Sequence, residues 1–213
     1  MDRSVKVAVI YYSATGNVYQ LARAAAEGAQ QAGAVVRLRK VRELAPPEAI
    51  DRNPQWAATA AGTRDVAEAS VHDLDWADVV LFGTPTRYGN AASQLKQFID
   101  TTGGLWQEGK LADKVYGAFT SSATAHGGQE STLLSLAIVF YHWGGILVPP
   151  GFTDPVQFDL GNPYGASHVA GAGQPGATEL AAARYQARRA VQTAAALIAG
   201  QAQTRAPDLV SAP

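Results

Sequence analysis

The sequence predicts an α/β fold in which one doubly wound parallel sheet is covered by helices on both faces. Apolar strand-like segments alternate with helical segments along the chain, and the segment 79–83 (VVLFG) is apolar throughout. Such alternation is typical of right-handed β–α–β crossovers. A continuous apolar strand is typical of one that is covered on both faces. Three strands are each followed by a polar loop, which is where such sheets bind ligands.

Five strands account for the sheet. The first, 5–12 (VKVAVIYY), breaks at a polar loop, after which apolar residues recur at helical spacing until Gly33. The second alternates apolar with basic residues, which predicts a half-exposed strand at a sheet edge. The predicted strands are 5–12, 34–40, 78–83, 114–119 and 145–148, and the later predicted helices are 91–101, 130–143 and 179–202.

Two segments interrupt this alternation. The segment 41–72 holds three prolines and no sustained period, and the segment 149–178 is rich in Gly and Pro and long for a connection. We expect one domain over 1–203, with 41–72 as an inserted segment on the surface and 149–178 as a second insertion. Residues 204–213 are expected to form a flexible tail.

The composition excludes several classes of function. Lys and Arg total 17 against 18 Asp and Glu, so there is no broad positive field and we expect no nucleic-acid partner. The absence of cysteine excludes thiolate chemistry and disulfides. No apolar run reaches the roughly 18 residues of a membrane span, so we expect a cytoplasmic protein without membrane insertion. No His and carboxylate cluster has metal-ligand spacing, so no metal is expected.

The first loop has the features of a phosphate site. It offers the hydroxyls of Ser13 and Thr15 and the backbone N–H groups of residues 16–18 at a helix N-terminus, where the macrodipole favours an anion. No Lys or Arg lies between residues 7 and 20, so a phosphate would be held by neutral donors. Simple helix capping is the alternative interpretation of the same residues.

The second and third loops carry groups that suit a planar heterocycle. The second, 85–90, combines the cation of Arg87, the ring of Tyr88 and a turn at Gly89. The third, 121–128, mixes small hydroxyl residues with glycine. An ordinary turn and a flexible surface loop are the alternatives for these two segments. Because the carboxyl ends of parallel strands meet at one edge, we expect all three loops to converge on one ligand.

These loops resemble those of the WrbA family of NAD(P)H:quinone oxidoreductases. The resemblance rests on the runs SATGN, GTPTRYGN, TGGLW, SSATAHGGQE and NPYGASHVAG and extends from about Lys6 to Leu197. It implies a flavodoxin-like fold, with a five-stranded sheet in the order 2-1-3-4-5. It also implies FMN as cofactor, NADH or NADPH as electron donor, a quinone as substrate, and a homo-oligomer, commonly a tetramer.

The same resemblance assigns the site residues. The FMN phosphate is expected at Ser13, Ala14, Thr15, Gly16, Asn17 and Val18. The isoalloxazine is expected beside Pro85, Thr86, Arg87 and Tyr88, and its polar side beside Ser121, Ser122, Ala123, Thr124, Ala125 and His126. His142 aligns with a histidine at the flavin, where it is the candidate catalytic residue, and Trp106 with a tryptophan of the substrate pocket. Thr15 stands where relatives often carry a tyrosine that meets the nicotinamide.

The leading functional hypothesis is therefore an enzyme that reduces quinones by two electrons, in ping-pong fashion at one flavin face. His126 or His142 is a candidate proton donor, and water is the alternative. His72 and His168 are assigned no role. Two other functions stay open: an electron carrier of the flavodoxin type, and a regulatory protein-binding module. The nearly uncharged helix 131–143 predicts a contact between subunits. In such an assembly the segment Asn162–Gly165 is expected to reach the flavin of a neighbouring subunit.

Overall fold

A twisted sheet of seven strands runs through the centre of the protein. The computed structural model describes residues 3–204, with the backbone alone described for 202–204. In chain order the strands are β1 (Lys6–Tyr11), β2 (Val35–Lys40), β3 (Val79–Arg87), β4 (Asn90–Ala91), β5 (Val115–Ser122), β6 (Ile146–Leu147) and β7 (Ser167–Val169). All neighbours pair in parallel except β3 and β4.

The five principal strands lie in the order β2-β1-β3-β5-β6. In chain order, β1, β2, β3, β5 and β6 correspond to the first to fifth predicted strands. The doubly wound, flavodoxin-like fold class is therefore confirmed. The expectation of only five strands was wrong. The additional strands β4 and β7 are two and three residues long, too short to show the alternation by which a strand is recognised in a sequence.

Helices cover both faces of the sheet. They are α1 (Asn17–Gln31), α2 (Pro47–Asp51), α3 (Pro54–Gly62), α4 (Val71–Trp76), α5 (Ser93–Asp100), α6 (Gly103–Gln107), α7 (Gln129–His142), α8 (Pro155–Leu160) and α9 (Ala177–Thr204). Side chains of β1 divide between the two layers, because successive residues of a strand point to opposite faces. Val7 and Val9 pack with α1 and α9, whereas Ala8 and Ile10 pack with α4, α5 and α7.

The two inserted segments have structure of their own. Segment 41–72 contains the short helices α2 and α3 and the start of α4, and Trp56 is half-buried against the second core layer. Segment 149–178 contains α8, β7, a 3-10 turn at Ala170–Ala172 and the first residues of α9. The expected tail lies, from residue 205 onwards, outside the described residues, and Thr204 is still helical.

Helix α7 is apolar on two faces, as the sequence predicts. Leu133, Leu136 and Phe140 are buried against the sheet. On the opposite side Leu134, Ile138 and Tyr141 are 46%, 57% and 64% exposed. A single chain therefore leaves a stripe of large apolar side chains in contact with solvent.

Candidate cofactor site

The loops that follow β1, β3 and β5 converge on one cavity at the carboxyl edge of the sheet, as predicted. Its volume is about 220 Å³, and we call it the carboxyl-edge cavity. Its lining comes from all three loops and from the turn after β7: Ser13, Ala14, Thr15, Asn17, Val18, Pro85, Arg87, Ser121, Ser122, Ala123 and Ala170.

The first loop is shaped to present backbone donors to this cavity. Gly16 has φ of 90°, a left-handed conformation that glycine adopts without strain, and it caps the N-terminus of α1. Its N–H is held at 3.1 Å by the Ser13 hydroxyl oxygen, which fixes the shape of the loop. The helix leaves the N–H groups of residues 17–19 without intrahelical partners, so they remain available to an anion.

Asn17 adds a second indication of an absent partner. Its side chain is 6% exposed and lines the carboxyl-edge cavity. Its amide oxygen Oδ1 has no hydrogen-bond partner within residues 3–204. Buried polar groups are nearly always paired, and an amide oxygen only accepts, so Asn17 can receive a hydrogen bond from a donor group of a ligand in the cavity.

The second loop is a tight hairpin between β3 and β4. Tyr88 and Gly89 have φ of 51° and 76°, the double left-handed turn that joins two-residue hairpins. A tyrosine is strained in that conformation, and its side chain is 102% exposed. Arg87 is exposed beside it, and its Nη1 donates to the Thr86 carbonyl at 3.1 Å. The hairpin thus holds an unpartnered aromatic ring next to the lining residue Arg87.

A buried relay of threonines supports this hairpin. The Thr132 hydroxyl lies 2.8 Å from the Gly128 carbonyl oxygen and 3.1 Å from Thr86 Oγ1, and Thr86 and Thr120 are joined at 3.0 Å. Thr120 Oγ1 in turn donates to the Thr84 carbonyl at 2.7 Å. These buried hydroxyl contacts link α7, β3 and β5 beneath the pocket.

The third loop has a rigid base and an exposed tip. Ser121 and Ser122 are buried at the end of β5, whereas residues 123–126, including His126, are exposed. Ser122 Oγ donates to the Thr124 carbonyl at 2.7 Å and accepts from Gln129 Nε2 at 2.9 Å. The tip is tied to the segment after β7 by the Gly171 N–H, which donates to the Ala123 carbonyl at 3.0 Å.

Four groups near the cavity are additional to the residues that the sequence suggested. Ala170 lines it directly, and His168 contacts Ser121 from β7. Helix α3 lies over the first loop, where Gln55 Nε2 donates to the Thr15 carbonyl at 3.0 Å. Gln129 ties the third loop to β7 through the His168 carbonyl at 3.0 Å. No sequence signal places β7 or α3 at the site, because β7 is a short strand in a Gly/Pro-rich segment and α3 lies in the aperiodic segment 41–72.

The structure of one chain does not bring His142 and Trp106 to the carboxyl-edge cavity. They lie together in a separate open pocket of about 330 Å³, where Trp106 Nε1 donates to the His142 carbonyl at 3.1 Å. Helix α7 starts beside the third loop and is 14 residues long, so His142 at its end is about 20 Å from its start. The strand β6 that follows pairs with Val115 and Tyr116, at the amino end of β5.

Two further features are absent from the described residues, a metal-binding cluster and a membrane-spanning helix. In the part of the chain that the structure describes, no group of three His, Asp or Glu side chains is placed to hold a metal ion. None of the helices over residues 3–204 combines the length and hydrophobicity that crossing a bilayer requires.

Comparison with known proteins identifies the family. Residues 5–157 match the family model described as NADPH-dependent FMN reductase. A protein of Deinococcus radiodurans named NAD(P)H dehydrogenase (quinone) is 49% identical over 200 residues, which is 93% of this chain and 100% of that protein. A protein of the same name from Aromatoleum aromaticum is 42% identical over 207 residues, again 93% of this chain and 100% of the relative.

Solved structures support the same fold. The WrbA-like flavodoxin of Agrobacterium tumefaciens is 27% identical with a TM-score of 0.62, covering 90% of this chain and 98% of its own. An archaeal flavodoxin, 15% identical with a TM-score of 0.60 over 89% of this chain and 99% of its own, shares the fold. The chain therefore belongs to the NADPH-dependent FMN reductase family and, within it, to the WrbA family of flavodoxin-like NAD(P)H:quinone oxidoreductases.

Proposed function

We propose that the protein reduces quinones to hydroquinones by two electrons, using FMN as cofactor and NADH or NADPH as donor. One observation carries this proposal: three loops converge on a cavity that is lined by neutral hydrogen-bond donors of the first loop and by Arg87, next to which the exposed, strained Tyr88 lies. The relatives at 49% and 42% identity, both named NAD(P)H dehydrogenase (quinone), support the substrate and donor. We also propose that the reaction takes place in the cytoplasm, because NADH and NADPH would have to be available to the enzyme.

The residues of the cavity fit FMN. Its phosphate would be held by the hydroxyls of Ser13 and Thr15 and by backbone N–H groups at the start of α1. The helix dipole stabilises negative charge at that end, so the phosphate needs no lysine or arginine partner. Asn17 Oδ1, which only accepts hydrogen bonds, would pair with a donor group of the cofactor and not with the phosphate. We assign the isoalloxazine ring to residues 85–88 and to the third loop from Ser121 to His126.

When bound, FMN accepts a hydride from the nicotinamide and passes two electrons to the quinone. The residues of this chain bind and orient the reactants. Tyr88 stands on the hairpin between β3 and β4, next to the lining residue Arg87, and we assign its exposed ring to pack on a planar ring of a reactant. A single open face would make nicotinamide and quinone bind in turn, which gives ping-pong kinetics. His126 is exposed on the third loop and is one candidate to hand a proton to the product.

We propose further that the substrate pocket is completed by a second subunit. His142 and Trp106 are about one helix length from the carboxyl-edge cavity of their own chain, yet both are exposed, Trp106 by 55%. They adjoin the exposed apolar stripe of α7. Burying that stripe against another copy brings the pair towards a neighbour's flavin, with His142 as the candidate proton donor and Trp106 as the wall against the quinone. Tyr164, 46% exposed in the second insertion, is a further candidate to reach across. We propose a homotetramer.

The absorbance of the purified protein tests the activity. Flavin bands are expected that bleach with NADH or NADPH and return with benzoquinone, and double-reciprocal plots are expected to be parallel. Mass analysis of the released cofactor should give FMN. A protein that binds FMN but exchanges single electrons only with another protein would be a carrier. A protein that binds no flavin even after reconstitution would contradict the assignment of the first loop.

A further inference from the structure

His168 is a buried histidine behind the wall of the carboxyl-edge cavity. In the β5–β7 ladder it lies opposite Ser121, and its Nδ1 is 3.0 Å from Ser121 Oγ. His168 is 3% exposed and Ser121 is 5% exposed. Ser121 lines the cavity. The imidazole therefore reaches the cavity through the hydroxyl of Ser121.

The protonation of this ring follows from its surroundings. Burial lowers the pKa of His168, and this outweighs the Glu179 carboxylate and the backbone of Gly173 and Gln174, which favour the charged form. The ring is thus neutral at pH 7, and one nitrogen carries its proton. Backbone groups that favour a protonated imidazole must be carbonyl oxygens, which accept from it.

These carbonyls determine which ring nitrogen of His168 carries the proton. Because Ser121 engages Nδ1, we assign the effect of the Gly173 and Gln174 backbone on the ring to Nε2. Nε2 is buried and has no hydrogen-bond partner within the described residues. Carbonyl oxygens near Nε2 favour a proton there, whereas a bare Nε2 would set its lone pair against theirs. Nδ1 is therefore the acceptor, and the Ser121 hydroxyl donates to it.

As a result, the Ser121 hydroxyl can only accept hydrogen bonds from a ligand in the cavity. Its only proton is committed to His168, so only oxygen lone pairs remain to face a ligand. Ser122 beside it is committed in the same way, because it donates to Thr124 and accepts from Gln129. An oxygen that presents lone pairs repels a phosphate and accepts from an N–H or O–H group.

We propose that His168 is a positioning residue that fixes the Ser121 hydroxyl as a hydrogen-bond acceptor for a donor group of the bound flavin. That donor is the N–H of the isoalloxazine ring or a hydroxyl of the ribityl chain. The inference rests on the proposed function, because it presupposes that FMN occupies the cavity. With donors at the first loop and an acceptor at the third, the cavity accepts FMN in one direction only.

A double-mutant cycle on FMN affinity tests the coupling. Ser121→Ala and His168→Leu are each expected to weaken FMN binding about 5- to 10-fold, the effect of one lost hydrogen bond. Ser121→Ala removes the acceptor, and His168→Leu only releases it from its fixed orientation, so the double variant should bind no more weakly than Ser121→Ala alone. His168→Asn, whose amide oxygen lies near the position of Nδ1, should restore most of the affinity. Additive losses, or unchanged affinity in both single variants, would overturn the proposal.

Two further measurements keep the test decisive. In ¹⁵N NMR of the holoprotein, His168 should carry its proton on Nε2, and a proton on Nδ1 would overturn the proposal even if His168→Leu failed to fold. FMN methylated at the ring N–H identifies the donor group. If Ser121→Ala no longer weakens binding of this analogue, the ring N–H is the donor, and if the loss persists, the donor is a ribityl hydroxyl.

The failures of the two proposals differ. A wild-type protein that binds no FMN would refute the proposed function and this inference with it. Wild-type protein that binds FMN and reduces quinones, with variants of unchanged affinity, would refute the role of His168 alone.

Discussion

Gln55 donates a 3.0 Å hydrogen bond from its Nε2 to the backbone carbonyl of Thr15 and so joins the inserted segment to the first loop. The contact between the two is close, since a Cβ atom on Gly16 would lie 3.3 Å from the Thr59 hydroxyl of α3. Helix α3 thus restricts the loop that we assign to the FMN phosphate. A loop held in its binding shape loses less entropy when the ligand arrives.

We therefore expect Gln55→Ala to weaken FMN binding about 2- to 10-fold, the range for one neutral hydrogen bond, with little loss of fold. The measurement is a fluorescence titration of the FMN-free protein. Gln107→Ala, an exposed glutamine on α6, is the matched control and should bind as wild type does. Equal affinities for all three proteins would show that the insertion does not support the loop.

Thr15→Glu is expected to abolish FMN binding. The substitution sets a carboxylate beside the site assigned to the phosphate, and two like charges about 4 Å apart repel by about 4 kcal/mol in a partly shielded site, which exceeds a 100-fold loss. Thr15→Gln has nearly the same shape without the charge and should retain most of the affinity. Circular dichroism should show native secondary structure in both. Tight FMN binding by Thr15→Glu would place the phosphate elsewhere.

Glu43 joins the end of β1, the segment 41–72 and α5 through hydrogen bonds. Its two carboxylate oxygens accept five hydrogen bonds, from Tyr12 Oη (2.9 Å), Trp56 Nε1 (3.1 Å), Gln94 Nε2 (2.9 Å) and the backbone N–H groups of Leu44 (2.9 Å) and Ala45 (3.0 Å). Burial alone would raise the pKa of Glu43. The hydrogen bonds, led by that from Ala45, outweigh burial and lower it.

A lowered pKa makes these contacts of Glu43 sensitive to acid. The unfolded chain binds the proton first as pH falls, so the stabilisation is fully present above the ordinary pKa of 4.5 and is lost as pH drops through the lower value of the folded state. Glu43→Gln should cost about 1–3 kcal/mol in urea unfolding at pH 7. Its stability should then fall less than that of wild type between about pH 5 and pH 3, the range around the ordinary carboxylate pKa. Glu48→Gln, exposed on α2, is the control. Parallel curves for Glu43→Gln and wild type would contradict the assignment.

Gly165 is required for the close approach of the second insertion to β5. A Cβ atom there would lie 2.1 Å from the Ala118 carbonyl oxygen, which also accepts from Gln186 Nε2 at 2.9 Å. Gly165→Ala should therefore destabilise the protein by about 1–3 kcal/mol or more, because backbone must move to make room. Gly104→Ala on α6 is the matched control, since no atom lies within 4 Å of its Cβ position. Equal unfolding midpoints for the two variants would show that the segment adjusts without cost.

The principal strands and the three loops were predictable because each rests on local signals. The apolar run of β3 and the polar breaks after β1, β3 and β5 locate the sheet and its ligand edge without any long-range information. The contribution of His168 was not predictable. It depends on the three-residue strand β7, whose pairing with β5 is long-range and too short for a periodic pattern.

The positions of His142 and Trp106 show a second limit of prediction from the sequence. Resemblance assigned both to the flavin site, but only coordinates show that α7 carries His142 away from the loops of its own chain. The apolar character of α7 was visible in the sequence, yet which residues form the exposed stripe depends on how the helix packs. Leu134, Ile138 and Tyr141 follow at spacings of four and three, and the buried residues alternate with them.

The final prediction concerns this stripe, which is the contact we assign to the assembly. Ile138 is 57% exposed and lies in the pocket that contains His142 and Trp106. A lysine at this position would have to bury a charge in an apolar contact, so Ile138→Lys should yield smaller particles in light scattering along a dilution series. FMN binding should persist, because the carboxyl-edge cavity is lined by one chain, whereas quinone reduction should fall at least about 10-fold with the loss of the shared pocket. Leu44→Lys, at a position 48% exposed on the insertion, should leave both mass and activity unchanged. A monomeric Ile138→Lys variant with full activity would show that one chain holds the complete substrate site, and a variant of unchanged mass would show that the contact lies on another surface.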